Sequence, residues 1–228
     1  MHTVSTMLSQ SSSISTNKPI LYNIKIERKK NMANCTTYLQ GFSTSCGSNL
    51  SSIKKLWIGA FESATFTFNY QKEEDGTTDV LDADGNKIIE SVATAVLGAT
   101  EDNWVQFGFK KNSSELTTEM TRNDNGSFYF TNAANLVFAK MDKVKRLALQ
   151  ATASGECAMI VLDSNGIYWL IGNENPVTAS TISATTGVAV GDSNQYSITL
   201  SADEPYQPIP LDAESASTII ATLEGGSN

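Results

Sequence analysis

From Ala133 to Tyr196 the chain sets out in order a strand-like run, one short basic helix, a tight hairpin, a Gly/Thr-rich loop and an alternating closing strand. A helix this short, set among strands, has to lie against a sheet to bury its apolar side, so the order predicts sheets flanked by one helix. The hairpin is the firmest element. Cys157-Ala-Met-Ile-Val-Leu162 and Ile167-Tyr-Trp-Leu-Ile171 flank Asp163-Ser-Asn-Gly166, whose Asn-Gly supplies the positive φ of a tight turn. Both arms are apolar almost throughout, which predicts cover on both faces. No catalytic group falls within this order of elements, which points to a protein that builds something.

The helix is expected over Lys140–Thr152, after the strand-like Asn135-Leu-Val-Phe-Ala139. Met141, Val144, Leu147, Ala148 and Ala151 recur at helical spacing and form its expected buried face, while Lys143, Lys145 and Arg146 fall largely off it. Those three cations read either as a solvated face or as a surface that pairs with acidic groups on a neighbouring copy. Gly155 ends the helix. Beyond the hairpin, Asn173–Asp192 reads as a loop around Pro176, and Tyr196-Ser-Ile-Thr-Leu200 closes the fold. Pro205, Pro208 and Pro210 are expected to stop further sheet pairing, leaving Ser215–Asn228 as a short helix or frayed tail.

Upstream, Leu56-Trp57-Ile58 begins apolar structure after a polar, Gly-containing lead-in over Ala33–Ser52. Ala64, Phe66, Phe68 and Tyr70 alternate with Thr65, Thr67 and Asn69, the period of a strand with one buried face. Asp75-Gly76 and Asp84-Gly85 are turn dipeptides, the second a hairpin tip between Asp79-Val80-Leu81 and Lys87-Ile88-Ile89. Turn chemistry accounts for these aspartates better than a calcium loop, because Gly85 comes too early for that ligand order. Trp104–Lys111 alternates again, with Val105, Phe107 and Phe109 on one side. Glu115–Arg122 continues as a polar strand, and Asn123-Asp-Asn-Gly126 turns it back into Ser127-Phe-Tyr-Phe130. Such a hairpin has little to bury by itself, so it either extends a sheet or docks on another subunit.

Composition agrees with a β-rich domain: hydrophobic residues make up 40% and charged residues 18%, below the usual quarter. The formal charge is −8 but is unevenly spread, with +4 in residues 1–31 and −12 in residues 32–228. An acidic body argues against a phosphate grip, which needs clustered Lys and Arg. The Glu27–Asn31 run preceding Met32-Ala33 reads either as untranslated leader, with Met32 the true start, or as a flexible basic arm. His2 and Cys35, Cys46 and Cys157 match no zinc spacing, and the thiols read as buried or idle. No run reaches the ~18 apolar residues of a membrane helix. Nucleophilic triads, phosphate-cradling Gly loops and dinucleotide fingerprints are all missing, so no enzyme and no cofactor is expected.

Met32-Ala-Asn-Cys-Thr-Thr-Tyr, Cys46-Gly-Ser-Asn-Leu-Ser-Ser-Ile-Lys-Lys-Leu-Trp-Ile-Gly59, Ala139-Lys-Met-Asp142, Gly172-Asn-Glu-Asn-Pro-Val177 and Tyr196–Leu200 together resemble small virion proteins of tailed phages and prophages from gut anaerobes. The element order resembles the tail tube fold shared with contractile injection systems. That resemblance implies a mainly β fold with one short α-helix: two packed antiparallel sheets, sandwich- or barrel-like, in a single domain over residues 32–214. It also implies hexameric rings stacked into a conduit through which DNA passes without specific binding, with other tail proteins as partners. The virion tail would be its place, reached from the host cytoplasm during assembly. The hairpin expected to reach a neighbour spans Trp104–Phe130, with Trp104, Phe107, Phe109, Leu116, Thr118, Met120, Phe128 and Phe130 as contact candidates. The arms would be Ala33–Ser52 and Ser215–Asn228. Connector, terminator and capsid decoration proteins reuse similar domains. A carbohydrate-binding module is an alternative of another class, with Trp57 and Trp169 read as core and Trp104 left as the stacking platform.

Overall fold

The computed structural model describes residues 49–73, 75–82, 85–97, 104–110, 112–212, 219, 221 and 223. The basic extension over 1–31, Cys35, Cys46, Asp84, most of the Ala33–Ser52 arm and most of Ser215–Asn228 lie outside the described residues. In chain order the strands are β1 Ile53–Ala60, β2 Thr65–Tyr70, β3 Ile89–Val96, β4 Val105–Phe107, β5 Glu115–Arg122 and β6 Phe128–Ala139. The helix α1 Lys143–Ser154 follows, and then β7 Cys157–Asp163, β8 Tyr168–Ile171, β9 Thr178–Thr185, β10 Gln195–Glu204 and β11 Ile209–Pro210.

The strands form a five-stranded sheet in the order β11-β8-β7-β1-β4, a four-stranded sheet β5-β6-β10-β9 and a β2-β3 ribbon. Every strand pair within these sheets is antiparallel. The fold is therefore mainly β, sandwich-like and flanked by helix α1. Alternation along β1 and β7 makes the five-stranded sheet the middle layer. Leu56, Ile58, Met159 and Val161 face one way and meet Leu136, Phe138, Ile198 and Leu200 of the four-stranded sheet. Trp57, Ala158, Ile160 and Leu162 face the other way, where Phe66, Phe68 and Val92 of the ribbon cover them together with Ile219 and Leu223. This double cover is why β7 reads as a continuous apolar run. Ile219, Ala221 and Leu223 are helical, and the Trp57 indole N–H donates to the Leu223 carbonyl at 3.0 Å.

The β7–β8 turn forms as its sequence predicts: Gly166 has φ +93°, and the Asp163 carboxylate accepts the N–H groups of Asn165 and Ile167. The Asp84-Gly85 tip is seen from its described side as an antiparallel bridge between Leu81 and Lys87 closed by Asp82. In β2, Phe66 and Phe68 are half-buried and Thr65 and Thr67 exposed, in keeping with the alternation.

Four expectations are corrected. The buried helix residues are Leu149 and Thr152, with Lys145 and Ala148 half-buried, while Val144 is 75% and Leu147 48% exposed. Thr152 satisfies its hydroxyl on the Ala148 carbonyl and the Lys145 stem lies along the surface, so two polar residues occupy the packed side and shift the buried stripe. The helix also starts later, at an Asp142 N-cap whose carboxylate accepts the Lys145 N–H at 2.8 Å. Second, the presumed loop Asn173–Asp192 contains β9, which pairs with β10 despite a burial pattern exposed at nearly every position. Third, Pro210 does not end pairing. Ile209 and Pro210 add a short edge strand to β8, where a missing N–H is tolerated. Fourth, Trp104–Phe109 is not part of the long hairpin, since β4 pairs with β1 in the other sheet.

Candidate assembly surfaces

The long hairpin is β5–β6, in unbroken register from Glu115↔Asn135 to Arg122↔Phe128. Because residues directly opposite share a face, the register sorts every side chain of the four-stranded sheet. Leu116 and Thr118 join Ala134 and Asn132 on the inner side. Glu115, Thr117, Glu119 and Thr121 point outward. The outward face continues through Tyr129, Thr131, Ala133, Asn135 and Val137 of β6 and Gln195, Ser197, Thr199, Ser201 and Asp203 of β10. Thr178, Thr181, Ser183 and Thr185 of β9 complete it.

No Lys or Arg stands among the residues these four strands place outward, and the charges there are Glu115, Glu119 and Asp203. Neighbours on adjacent strands hold two of these carboxylates. Asn135 Nδ2 donates to Glu115 at 3.1 Å, and Thr131 Oγ1 donates to Asp203 at 2.6 Å. Thr199 Oγ1 extends the row by donating to Asn135 Oδ1 at 2.8 Å. The result is a flat, hydroxyl-rich, weakly acidic surface with no apolar cover among the described residues. At its sides, β5 and β9 are each paired on one edge only among the described residues.

Towards its turn the hairpin runs past the cover of the middle layer. Met120 and Phe128 share the inner side of the sheet yet are 54% and 51% exposed. Phe130 meets Phe128 edge-on at 5.9 Å, and the Arg122 guanidinium lies over the Phe128 ring. At the base of the hairpin a buried polar network fixes its direction. Glu204, 4% exposed, accepts from Asn132 Nδ2 at 3.1 Å and from the Asn173 N–H at 2.7 Å. Asn132 also donates to the Tyr206 carbonyl and accepts from Thr118. The sequence reading ended the closing strand at Leu200 and so missed this group. The signal was present in the alternation, because Tyr196, Ile198, Leu200, Ala202 and Glu204 all fall on one face.

The remaining candidates separate. Phe107 and Phe109 pack against the first core, and Phe107 meets Phe138 at 6.1 Å. Trp104 is 8% exposed and packs in the second core against Phe66, with its ring filling the space a side chain at Gly59 would need. It offers no stacking platform. Of the helix cations, Lys145 is engaged by its own N-cap, pairing with Asp142, which holds that carboxyl below its ordinary value. Lys143 and Arg146 are exposed, and Arg146 donates to Gln150 at 3.4 Å. Asp75 closes its own turn by accepting the Thr77 and Thr78 N–H groups. Asp79 is held low by Lys72 and Lys87. Cys157 is half-buried, and burial pushes its thiol up, away from reactivity. Among the described residues no helix is long and apolar enough to cross a membrane.

Comparison with protein-family models, with curated proteins and with solved structures returns no match.

Proposed function

We propose that the chain is a tail tube protein, or a closely related tail structural protein, that assembles with itself into stacked rings around a conduit for DNA. The observation that carries this reading is the four-stranded sheet, whose two edge strands are each paired on one side only among the described residues and whose strands place no Lys or Arg outward. Its four strands alternate in direction, so β5 and β9 run opposite ways. When the β9 edge of one copy meets the β5 edge of the next by simple rotation, antiparallel pairing continues across the joint and closes without a mismatch. Closure also removes two edges that would otherwise invite aggregation.

In such a ring the middle layer and ribbon lie on one side of the continuous sheet and the Thr/Ser/acid face on the other, which makes the latter the bore. Phosphates sliding past its strands meet hydroxyls and carboxylates, with Lys110, whose N–H donates to the Val137 carbonyl at 2.7 Å, as the cation at its margin. At ~0.15 M salt the screening length is ~8 Å, so only acids on this face act on the passing strand. Glu115, Glu119 and Asp203 fill that role. Other tail proteins are the expected partners, and the function uses no catalytic residue and no cofactor.

The test is charge reversal of Glu115, Glu119 and Asp203 to Lys in the full chain. Assembly is expected to persist, while the particles gain DNA binding that weakens steeply with salt and that the native chain lacks. Particles whose DNA affinity is unchanged would remove this face from the bore.

A further inference from the structure

The end of the four-stranded sheet at which β6 leads into α1 carries both raised apolar side chains and exposed cations. Thr185, Gln195 and Ala139 stand level there, so the β9–β10 loop over 186–194 projects beyond the strands beside the start of the helix. The base of the loop is held by Asn194, whose main-chain and side-chain oxygens accept the Lys140 and Met141 N–H groups at 2.7 and 2.8 Å. Its tip is held by the Asp192 carboxylate, which accepts the Val188 and Ala189 N–H groups. A Cβ at Gly187, where φ is +75°, would run into the Asp192 side chain. In this shape the loop raises Val188 and Val190 fully into solvent, at 104% and 109% exposure. Exposed apolar side chains occur elsewhere, Leu81 and Ile167 among them, but no other among the described residues stands so clear of the surface. Val144 and Leu147 are exposed on the first turns of the helix that starts at this end.

The charge of this end is opposite to that of the body, which carries −12 over residues 32–228. Lys140, Lys143, Lys145 and Arg146 stand against Asp142 and Asp192, and Lys110 joins them through its N–H bond to the Val137 carbonyl. Lys110, Lys140, Lys143 and Arg146 are exposed, and among the described residues none of them is in an ion pair. Lys143, Lys145 and Arg146 occupy the first turn of α1, the positive end of the helix dipole, where cations are disfavoured and an anionic partner would relieve them. We infer that this end is the seat for an anionic lipid surface, with Val188 and Val190 entering the headgroup–acyl boundary and the cations meeting the lipid phosphates. Shape selects lipid over other polyanions. DNA would leave the two valines in water, and a protein face would need a pocket to receive them, whereas a fluid interface closes around a raised apolar tip wherever it lands. The long Lys and Arg stems let the charged heads stay at the phosphates while Val144 and Leu147 come down onto the interface. The contact is peripheral and requires no membrane-crossing helix. It goes beyond the ring reading and does not need it, because the patch lies at strand ends rather than along the β5 and β9 edges, at a rim of any ring closed through them.

The test is flotation of the full-length chain with vesicles of phosphatidylcholine alone or mixed equally with phosphatidylglycerol. The native chain is expected to float with the anionic vesicles and not with the neutral ones, and to be released as salt rises. Two variants divide the contributions: Val188→Ser with Val190→Ser, and Lys140→Gln with Lys143→Gln and Arg146→Gln. All these positions are exposed, so melting temperatures should stay near that of the native chain. The loop variant should partition about tenfold less. The cation variant should partition about 100-fold less, at about fivefold per charge removed. A native chain that floats with neither vesicle, or equally with both, would overturn the lipid seat. Native-like flotation of either variant would overturn it too, and if only the loop variant floats like the native chain the patch is a plain polyanion site. Mass photometry on the same native sample reads assembly separately, so the ring reading can fail while the lipid seat stands, and the reverse. If a variant loses its fold, Val190→Trp replaces it. Its added emission should shift to shorter wavelength with anionic vesicles alone, and an unshifted emission would count against insertion.

Discussion

Glu204 is the residue on which the most depends for its size. Its carboxylate is buried between the two large sheets and collects the Asn132 amide with the Asn173 and Glu174 N–H groups. Removing it strands buried donors, which cost about 1–3 kcal/mol each when unpaired. Glu204→Ala should therefore lower unfolding free energy by about 2–4 kcal/mol in a urea titration, and Glu204→Gln, which keeps one acceptor, by less. Asp142 tests the electrostatics at the same scale. Its folded pKa is depressed by the hydrogen bond from the Lys145 side chain and then by the Lys145 N–H. A depressed carboxyl contributes stability above its unfolded pKa of about 3.9 and loses it as pH falls through the lower folded value. Asp142→Asn keeps a capping oxygen without the charge. The fall in melting temperature between about pH 5 and pH 2 should be smaller in this variant, and an unchanged fall would assign the pH dependence elsewhere.

Among the elements, those whose signal is local were legible. The β7–β8 hairpin needs only its Asn-Gly turn and two apolar arms, and β2 needs only its alternation. The elements misread are those in which tertiary packing decides. For α1, the sequence offers two neighbouring stripes, and the more apolar one, through Val144, Leu147 and Ala151, is the exposed one. Helical period alone cannot tell which of two neighbouring stripes packs on the sheet. β9 was hidden for the related reason that Thr178–Thr185 buries little and draws its order from β10. The Glu115–Phe130 part of the candidate hairpin was legible, while Trp104–Phe109 was not, because pairing of β4 with β1 spans some fifty residues of chain that no local period reports. The corrected helix face is checked directly. Leu149→Ala should cost about 2–4 kcal/mol and Leu147→Ala under about 0.5 in the monomer, by equilibrium unfolding. The reverse order would restore the face expected from periodicity.

Across the whole molecule, one organisation accounts for the features that a solitary domain would leave unexplained. A two-faced sheet has one side packed on a core and the other made mainly of hydroxyls and acids. Its two edge strands run in opposite directions and are each paired on one side only among the described residues. Each of these is a liability in isolation and a joint or a wall in a ring. The central claim is assembly, and electron microscopy of the purified full-length chain, with mass photometry on the same sample across a concentration series, tests it most directly. Rings or tubes with an open bore, growing with concentration, are the predicted result. A uniform monomer at every concentration, with no ring in any field, would contradict it.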